Sequence, residues 1–558
     1  MIVFFAVTLL TVPLFTGAFS QGDVVSFNVE SNYDIHSRNK IEAVLHKITN
    51  KNIFYIEKTW WENLDDKEKQ NLDQIIYNAS VDFEKTIYPD MTSLFGFEPN
   101  HSIDDSNRIT VLFHRMPSTA GGYFNSGDQY SVYQYHRSNE RNMIYINTFF
   151  IESPLFRGFL AHEFMHMITF NQKSRIYGIS EENWLNEARA EYMPTFFNYD
   201  DVGKESNILK RLSAFTNNPK TSLTEWLNSS GDYGVVNMFV HYLVDHYGVE
   251  ILSDSLKSNK NGIESINYAL EKNGFEEDFS QIFTNWTVAV LMNDCSLGEK
   301  YCYLNERLKD MMVIPVTHYL SPSHGGMFAS RSSIKNWTGN WWRIVGGKNN
   351  LIFEFEGEGN LKFEVPYVLC DLRNKCKVGF LKLENNKEKI TIEDFGEKYS
   401  AFYFIPSLQD KIKEFNGQEK DYFFDWRVSS VIKKEDQEEE EEKKLIESLL
   451  KQIEELKAEI ARLRAAIGEN QNIFCQINNN LYFGIRNSDE VKCLQEFLKN
   501  EGVYPEGLVT GNFLNLTKQA VINFQEKYAD DILRPLGLGQ GTGYVGIKTR
   551  EKINGIQN

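Results

Sequence analysis

Positive charge is scarce in this chain. Its 558 residues carry 59 Lys and Arg against 77 Asp and Glu, a formal net charge of -18, which excludes a nucleic-acid binder and leaves no basic patch for anionic lipid. Part of the excess is local, in the acidic run Glu435 to Glu442, a solvated helix start or linker. No Lys or Arg precedes the first apolar stretch, Met1 to Phe19, so the charged start of a signal peptide is missing. Ala18 and Ser20 nevertheless have the spacing of a signal-peptidase site, and the expectation is a signal peptide over residues 1–20, hence export. The alternative is an uncleaved anchor, for which nineteen residues are barely enough.

Cysteine is also sparse. The six fall into three close pairs, Cys295 with Cys302, Cys370 with Cys376 and Cys475 with Cys493, which predicts local bridges and an oxidising compartment, the alternative being reduced apolar fillers. None lies near the histidines discussed next, so thiolate ligation of a metal there is not expected.

What the chain does contain is His162-Glu163-Phe164-Met165-His166, an H-E-x-x-H inside an apolar helical stretch. At about 100° per residue the two histidines lie about 40° apart on one helical face and can share a cation. Glu163 is turned about 100° away, placed to accept a proton from a metal-bound water. A third ligand must come from elsewhere, and Glu187 in Trp184-Leu185-Asn186-Glu187-Ala188-Arg189-Ala190-Glu191 is the natural donor. A His-His-Glu set leaves the fourth position of zinc open, the mark of a catalytic site. Glu191, one turn beyond Glu187, is a candidate hydrogen-bond partner for the far nitrogen of a ligating histidine, or an exposed helix carboxylate.

The length predicts about three to five units. Between about Phe27 and Leu308 helical and strand patterns alternate, as in an α+β enzyme. Strands are expected at Arg108–Phe113 and Met143–Ile146, the latter as a candidate edge for an extended peptide. Helices are expected at Phe156–Phe170, at Glu182–Met193 stopped by Pro194, and at Gly234–Tyr247 ended by Gly248. Ala120 to Phe124 reads as a glycine-rich loop over the cleft. Residues 313–432 show short period-two runs, a β-sandwich. Ile446, Leu449, Ile453, Leu456, Ile460, Leu463 and Ile467 form a heptad seam with Ile at a and Leu at d, which favours a parallel two-stranded coiled coil and so a homodimer through residues 445–467; the alternative is a single spacer helix.

The segments Leu160 to Ile168 and Trp184 to Tyr192 resemble the gluzincin zinc peptidases, within them the hyicolysin family, over about residues 25 to 310. The resemblance implies Zn2+ held by His162, His166 and Glu187, with Glu163 as general base. An oxyanion donor is also needed. Tyr233 resembles the tyrosine that opens the corresponding helix in several gluzincins, and His241, two turns on, is the rival. The G-x-M-E-N element of the aminopeptidase branch is absent, which favours an endopeptidase.

Residues 470–558 resemble a peptidoglycan-binding domain of the three-helix type through Leu494-Gln495-Glu496-Phe497-Leu498, Thr510-Gly511-Asn512-Phe513, Ala520 to Gln525 and Val545 to Thr549, with Leu514 where that family usually repeats a glycine. Thr517 and Thr549 are expected to cap helices. The expected architecture is thus multidomain: signal peptide 1–20, gluzincin-like α+β metalloprotease 21–312, β-sandwich 313–432, acidic linker and coiled-coil helix 433–469, and peptidoglycan-binding-like domain 470–558. The expected function is an exported, extracellular or wall-associated zinc metalloendopeptidase acting on protein or peptide and tethered to peptidoglycan. The alternatives are a peptidoglycan hydrolase using the same zinc and a non-catalytic adhesin or scaffold.

Overall fold

The computed structural model describes residues 20–99, 106–200, 206–321, 326–410, 417–431, 446, 448–459, 475–505 and 507–557. The apolar segment 1–19, the acidic run and the heptad positions Ile460, Leu463 and Ile467 lie outside them. The chain divides into two compact units, Met1–Lys433 and Lys434–Asn558.

The first unit opens on strands β1 (Val24–Asn28), β2 (Lys40–Ile48), β3 (Asn52–Glu57), β4 (Ile109–His114), β5 (Gly122–Tyr123) and β6 (Met143–Asn147). They form one sheet in the order β1-β2-β3-β4-β6-β5. Strands β3, β4 and β6 are parallel, while β5 runs antiparallel to β6. These three parallel strands are buried along their whole length, as strands covered on both faces must be. Their alternation sorts the side chains. Phe54, Ile56, Val111, Phe113, Ile144 and Ile146 join the helical core; Ile53, Tyr55, Leu112, Met143 and Tyr145 join a smaller cluster with Phe27 and Leu45.

The helices of this unit are α1 (Lys58–Glu62), α2 (Asp66–Asp82), α3 (Tyr88–Phe95), α4 (Phe156–Thr169), α5 (Asn183–Phe196), α6 (Asn207–Asn217), α7 (Ser230–Tyr247), α8 (Glu250–Leu256), α9 (Gly262–Lys272) and α10 (Phe279–Met292). Two expectations change. β6 is interior, between β4 and β5, so the free edge is the glycine passage at β5 rather than Met143–Ile146. Composition identifies a strand but not its neighbours. Pro194 lies inside the last turn of α5, which continues to Phe196. Its ring packs on α4 at Gly158, where a Cβ would stand 3.3 Å from the Pro194 Cβ, so this packing offsets the single helical bond the proline removes.

Residues 316–431 fold as strands β7 (Val316–Leu320), β8 (Gly326–Ile334), β9 (Trp342–Gly346), β10 (Asn350–Gly357), β11 (Phe363–Glu364), β12 (Pro366–Asp371), β13 (Cys376–Phe380), β14 (Lys387–Ile392), β15 (Tyr399–Phe404), β16 (Ser407–Leu408) and β17 (Tyr422–Val431). They make a four-stranded sheet, β14-β10-β17-β8, a five-stranded sheet, β13-β12-β15-β9-β7, and a short β11-β16 ribbon. Leu351, Phe353 and Phe355 from one sheet and Ile344, Phe402 and Phe404 from the other share one core, the sandwich arrangement. This layer is not a separate compact unit. Trp337, Trp341, Val368 and Ala401 extend the helical core, and the Trp341 indole donates to the Thr287 carbonyl of α10 at 2.9 Å.

In the second unit residues 448–459 are helical (α11), and Ile446, Leu449, Ile453 and Leu456 are exposed. It continues with α12 (Asp489–Asn500), α13 (Asn515–Lys527), the single turn α14 (Ala529–Ile532) and α15 (Ile547–Gln557). Thr517 and Thr549 are not caps: each is the third residue of its helix, and each accepts a hydrogen bond from a buried glutamine. Gln495 donates to Thr517 at 2.8 Å and accepts the Thr510 and Gly511 amides at 2.8 and 2.9 Å. Gln525 does the same with Thr549 at 3.0 Å and the Thr542 and Gly543 amides at 2.8 and 2.9 Å. The two similar passages are thus one device used twice. All three cysteine pairs are bridged as neighbours.

Because the sandwich and the helical layer share a core, residues 20–433 should unfold in one transition. Trp341→Ala should cost about 3–5 kcal/mol, read from the urea midpoint by both tryptophan fluorescence and far-UV circular dichroism. All nine tryptophans precede residue 434, so two separated transitions in the tryptophan fluorescence of the parent protein would contradict a shared core.

Candidate metal centre

The site is built on two helices packed against each other. α4 is buried on nearly every side, from Phe156 and Leu160 to Met167 and Ile168, which explains an apolar sequence all round. α5 is fixed through its N-terminal half. Trp184 is buried and its indole donates to Glu182 at 2.6 Å. Arg189 is buried, paired with Glu181 at 2.7 Å, and donates to the Ser255 hydroxyl at 2.9 Å.

This packing brings His162 and His166 of α4 together with Glu187 of α5. Their Nε2 atoms lie 3.2 Å apart, and each is 3.6 Å from Glu187 Oε2. Tetrahedral zinc with Zn–N bonds of about 2.0–2.1 Å holds its ligand atoms about 3.3 Å from one another, so the three spacings fit that ion. Glu187 Oε2 is buried without a hydrogen-bond partner. His166 Nδ1 sits 3.1 Å from Asn186 Oδ1, an acceptor, so the proton is on Nδ1 and Nε2 turns a bare lone pair toward His162 and Glu187. A cation explains an orphaned carboxylate oxygen and two ring nitrogens aimed at one point. Among the described residues this is the one such cluster of His, Cys, Asp and Glu.

Glu163 faces a cleft of about 330 Å³, with Tyr33, Gly122, Glu187 and Tyr233 also in its walls. Burial pushes the Glu163 carboxyl up to about 8 against the opposing pull of His162. The edge strand lies directly over it: a Cβ at Gly122 would come within 2.5 Å of the Tyr145 carbonyl and 3.1 Å of Glu163.

Glu191 approaches His162 Nδ1 only to 3.9 Å. Its principal partner is Arg211 of α6, at 2.7 and 2.8 Å, with Asn207 and Asn237 each at 3.1 Å. Burial would raise its pKa, but Arg211 outweighs it and holds the carboxyl at about 2. The histidine partner at hydrogen-bond distance is Asn186, which sequence reading passed over although it adjoins Glu187.

Tyr233 lies in the first turn of α7, whose start is a capping box between Ser229 and Asp232. It lines the cleft, its ring carries the Arg211 guanidinium at 4.4 Å, and its hydroxyl donates to Asn228 at 3.1 Å. His241 is fully buried away from the cleft, against Thr195 at 2.9 Å and the Asn237 carbonyl at 2.7 Å. The two residues share a helix, but only Tyr233 lines the cleft. Tyr33 was also missed; it carries no motif and comes from the segment between β1 and β2.

Comparison with known proteins adds two findings. Residues 487–529 match the family described as putative peptidoglycan binding domain. Over 240 residues the chain is 25% identical to the neutral metalloprotease ShpI of Staphylococcus hyicus, covering 38% of this chain and 52% of that protein. The chain therefore spans about half the length of the curated relative it matches. Among solved structures, the pre-peptidase C-terminal domain of collagenase from Bacillus anthracis aligns with 10% identity and a TM-score of 0.15, over 21% of this chain and 96% of that one. The Yersinia pseudotuberculosis-derived mitogen aligns with 9% identity and a TM-score of 0.15, over 20% and 92%. Those scores carry no structural argument. The chain thus joins a region distantly similar to a metalloprotease with a peptidoglycan-binding domain.

Arg211→Met should destabilise the first unit by about 3–5 kcal/mol, because it strands a buried carboxylate. Adding Glu191→Gln should restore part of the loss. Equal chemical-denaturation midpoints for Arg211→Met and the parent would show the pair to be dispensable.

Proposed function

We propose that the chain is an exported zinc metalloendopeptidase, held at the bacterial cell wall by its C-terminal domain. The observation that carries this reading is the convergence of His162, His166 and Glu187 at the spacings of a tetrahedral zinc, with a further carboxylate, Glu163, beside them and an open cleft above. The distant similarity to a metalloprotease and the match of residues 487–529 to a peptidoglycan-binding family support it.

His162, His166 and Glu187 would hold the ion. Bound there, zinc would polarise the scissile carbonyl and lower the pKa of a water toward neutrality. Glu163 accepts the proton of the attacking water as its oxygen bonds to the carbonyl carbon. It then delivers that proton to the amide nitrogen as the C–N bond breaks, leaving a carboxylic acid and an amine. Asn186 holds His166 in the tautomer that ligation needs. The Tyr233 phenol turns its one proton from Asn228 to the carbonyl oxygen as that oxygen becomes anionic. The free β5 edge offers backbone groups to an extended peptide, and Gly122 keeps that edge close to Glu163.

Glu163→Gln should retain about one zinc per chain by elemental analysis while hydrolysis of denatured casein falls at least about 10²-fold. Full activity in that variant would remove Glu163 from the chemistry. Deleting residues 470–558 should abolish co-sedimentation with purified sacculi and spare cleavage of a soluble peptide. Solubilisation of sacculi without any cleavage of casein would instead favour a peptidoglycan hydrolase.

A further inference from the structure

Besides Tyr233 the cleft is lined by Tyr33 and Tyr123, to which the proposed function gives no task. Tyr33 ends the turn Ser31–Tyr33 between β1 and β2 and lines the same cleft as Glu163, Glu187 and Tyr233. Its ring stacks on Tyr123 with centroids 4.7 Å apart, and Tyr123 stacks on Tyr145 at 4.1 Å. The inner two hydroxyls of this stack lie against Asp128 and Glu30, whereas Tyr33 faces the carboxylates of the cleft. Tyr145 donates to Asp128 at 2.6 Å, and Tyr123 accepts the Glu30 amide at 3.2 Å. The Tyr33 hydroxyl has no hydrogen-bond partner among the described residues. It is a spare donor on a rigid mount.

The backbone beneath it is equally fixed. Asp34 is buried, accepts the His36 and Arg38 amides at 2.9 and 3.0 Å, and pairs with the Arg38 guanidinium at 2.7 Å. Burial first, then the Glu163 and Glu187 carboxylates, raise the Tyr33 pKa, and Tyr33 in turn raises that of Tyr233. The hydroxyl is therefore protonated at neutral pH and within electrostatic reach of both carboxylates and of the other phenol.

Water attack on an amide produces a tetrahedral carbon with two oxygens that share negative charge. One donor covers one oxygen, and Tyr233 is assigned to the former carbonyl oxygen. We propose that Tyr33 is a second catalytic hydrogen-bond donor, binding the oxygen of the tetrahedral adduct that faces Glu163. It donates without giving up its proton, so the balance of the reaction is unchanged. This assignment rests on the peptidase reading above.

Tyr33→Phe keeps the ring and its stack on Tyr123 and removes only the hydroxyl. In the full-length zinc-loaded protein kcat on a soluble peptide should fall about 10²-fold, with KM within about threefold of the parent and with zinc content and thermal midpoint unchanged. By calorimetry a phosphinic tetrapeptide, whose phosphorus carries two oxygens in the tetrahedral arrangement, should bind the variant at least about tenfold more weakly than the parent. Equal affinity for the phosphinic peptide in both proteins overturns the assignment, whether or not the parent cleaves peptides. A parent that binds it yet leaves peptides and casein intact overturns the peptidase reading instead, and weaker binding by the variant then still supports the Tyr33 contact.

Discussion

A single buried carboxylate, that of Glu191, governs how the helices of the site are assembled. A charge removed from water costs several kcal/mol unless it is fully paired, and Glu191 is 2% exposed. Its partners come from two other helices, Arg211 and Asn207 on α6 and Asn237 on α7. The three helices must therefore close around it together. That closure fixes the rotation of α5 about its own axis, and with it the direction of Glu187 one turn earlier. The same Arg211 lies over the Tyr233 ring, so the helix that carries Glu187 and the phenol from α7 share one electrostatic anchor.

How much of this was legible depended on distance along the chain. His162, Glu163 and His166 could be read because a helix converts spacing into direction, and Glu187 because its helix carries a pattern of its own. Asn186 adjoins a predicted ligand, yet its role follows from which helix faces it. Tyr233 and His241 are told apart only by the tertiary fold, in which the first turn of α7 reaches the cleft and His241 is buried away from it. Tyr33 and Arg211 belong to segments without a motif, brought in by packing alone. β5 is two residues long and rich in glycine, so no alternation marks it as a strand, and β6 was read as the edge in its place. In the last domain, a threonine after a glycine turn resembles a helix cap; the burial of Gln495 and Gln525 redirects both threonines inward.

Glycine has a particular part in bringing sheet and helix together. At Gly122 the edge strand rests so close to the Tyr145 carbonyl and Glu163 that a side chain has no room. At Gly158 the absent side chain admits Pro194, drawing α5 onto α4. Both contacts shorten distances within the site, one between β5 and Glu163 and one between the two helices that carry His162, His166 and Glu187. This part of the first unit is thus organised by close backbone approach as much as by its charged residues.

The three disulfides join cysteines separated by 7, 6 and 18 residues. Each cysteine is bonded to its nearest cysteine along the chain, in strict sequence order. In an oxidising compartment a chain emerging from its N-terminus can close each bridge before the next cysteine pair appears. The native connectivity is then also the one that vectorial synthesis favours, and it calls for no reshuffling of bonds between the layers of the molecule.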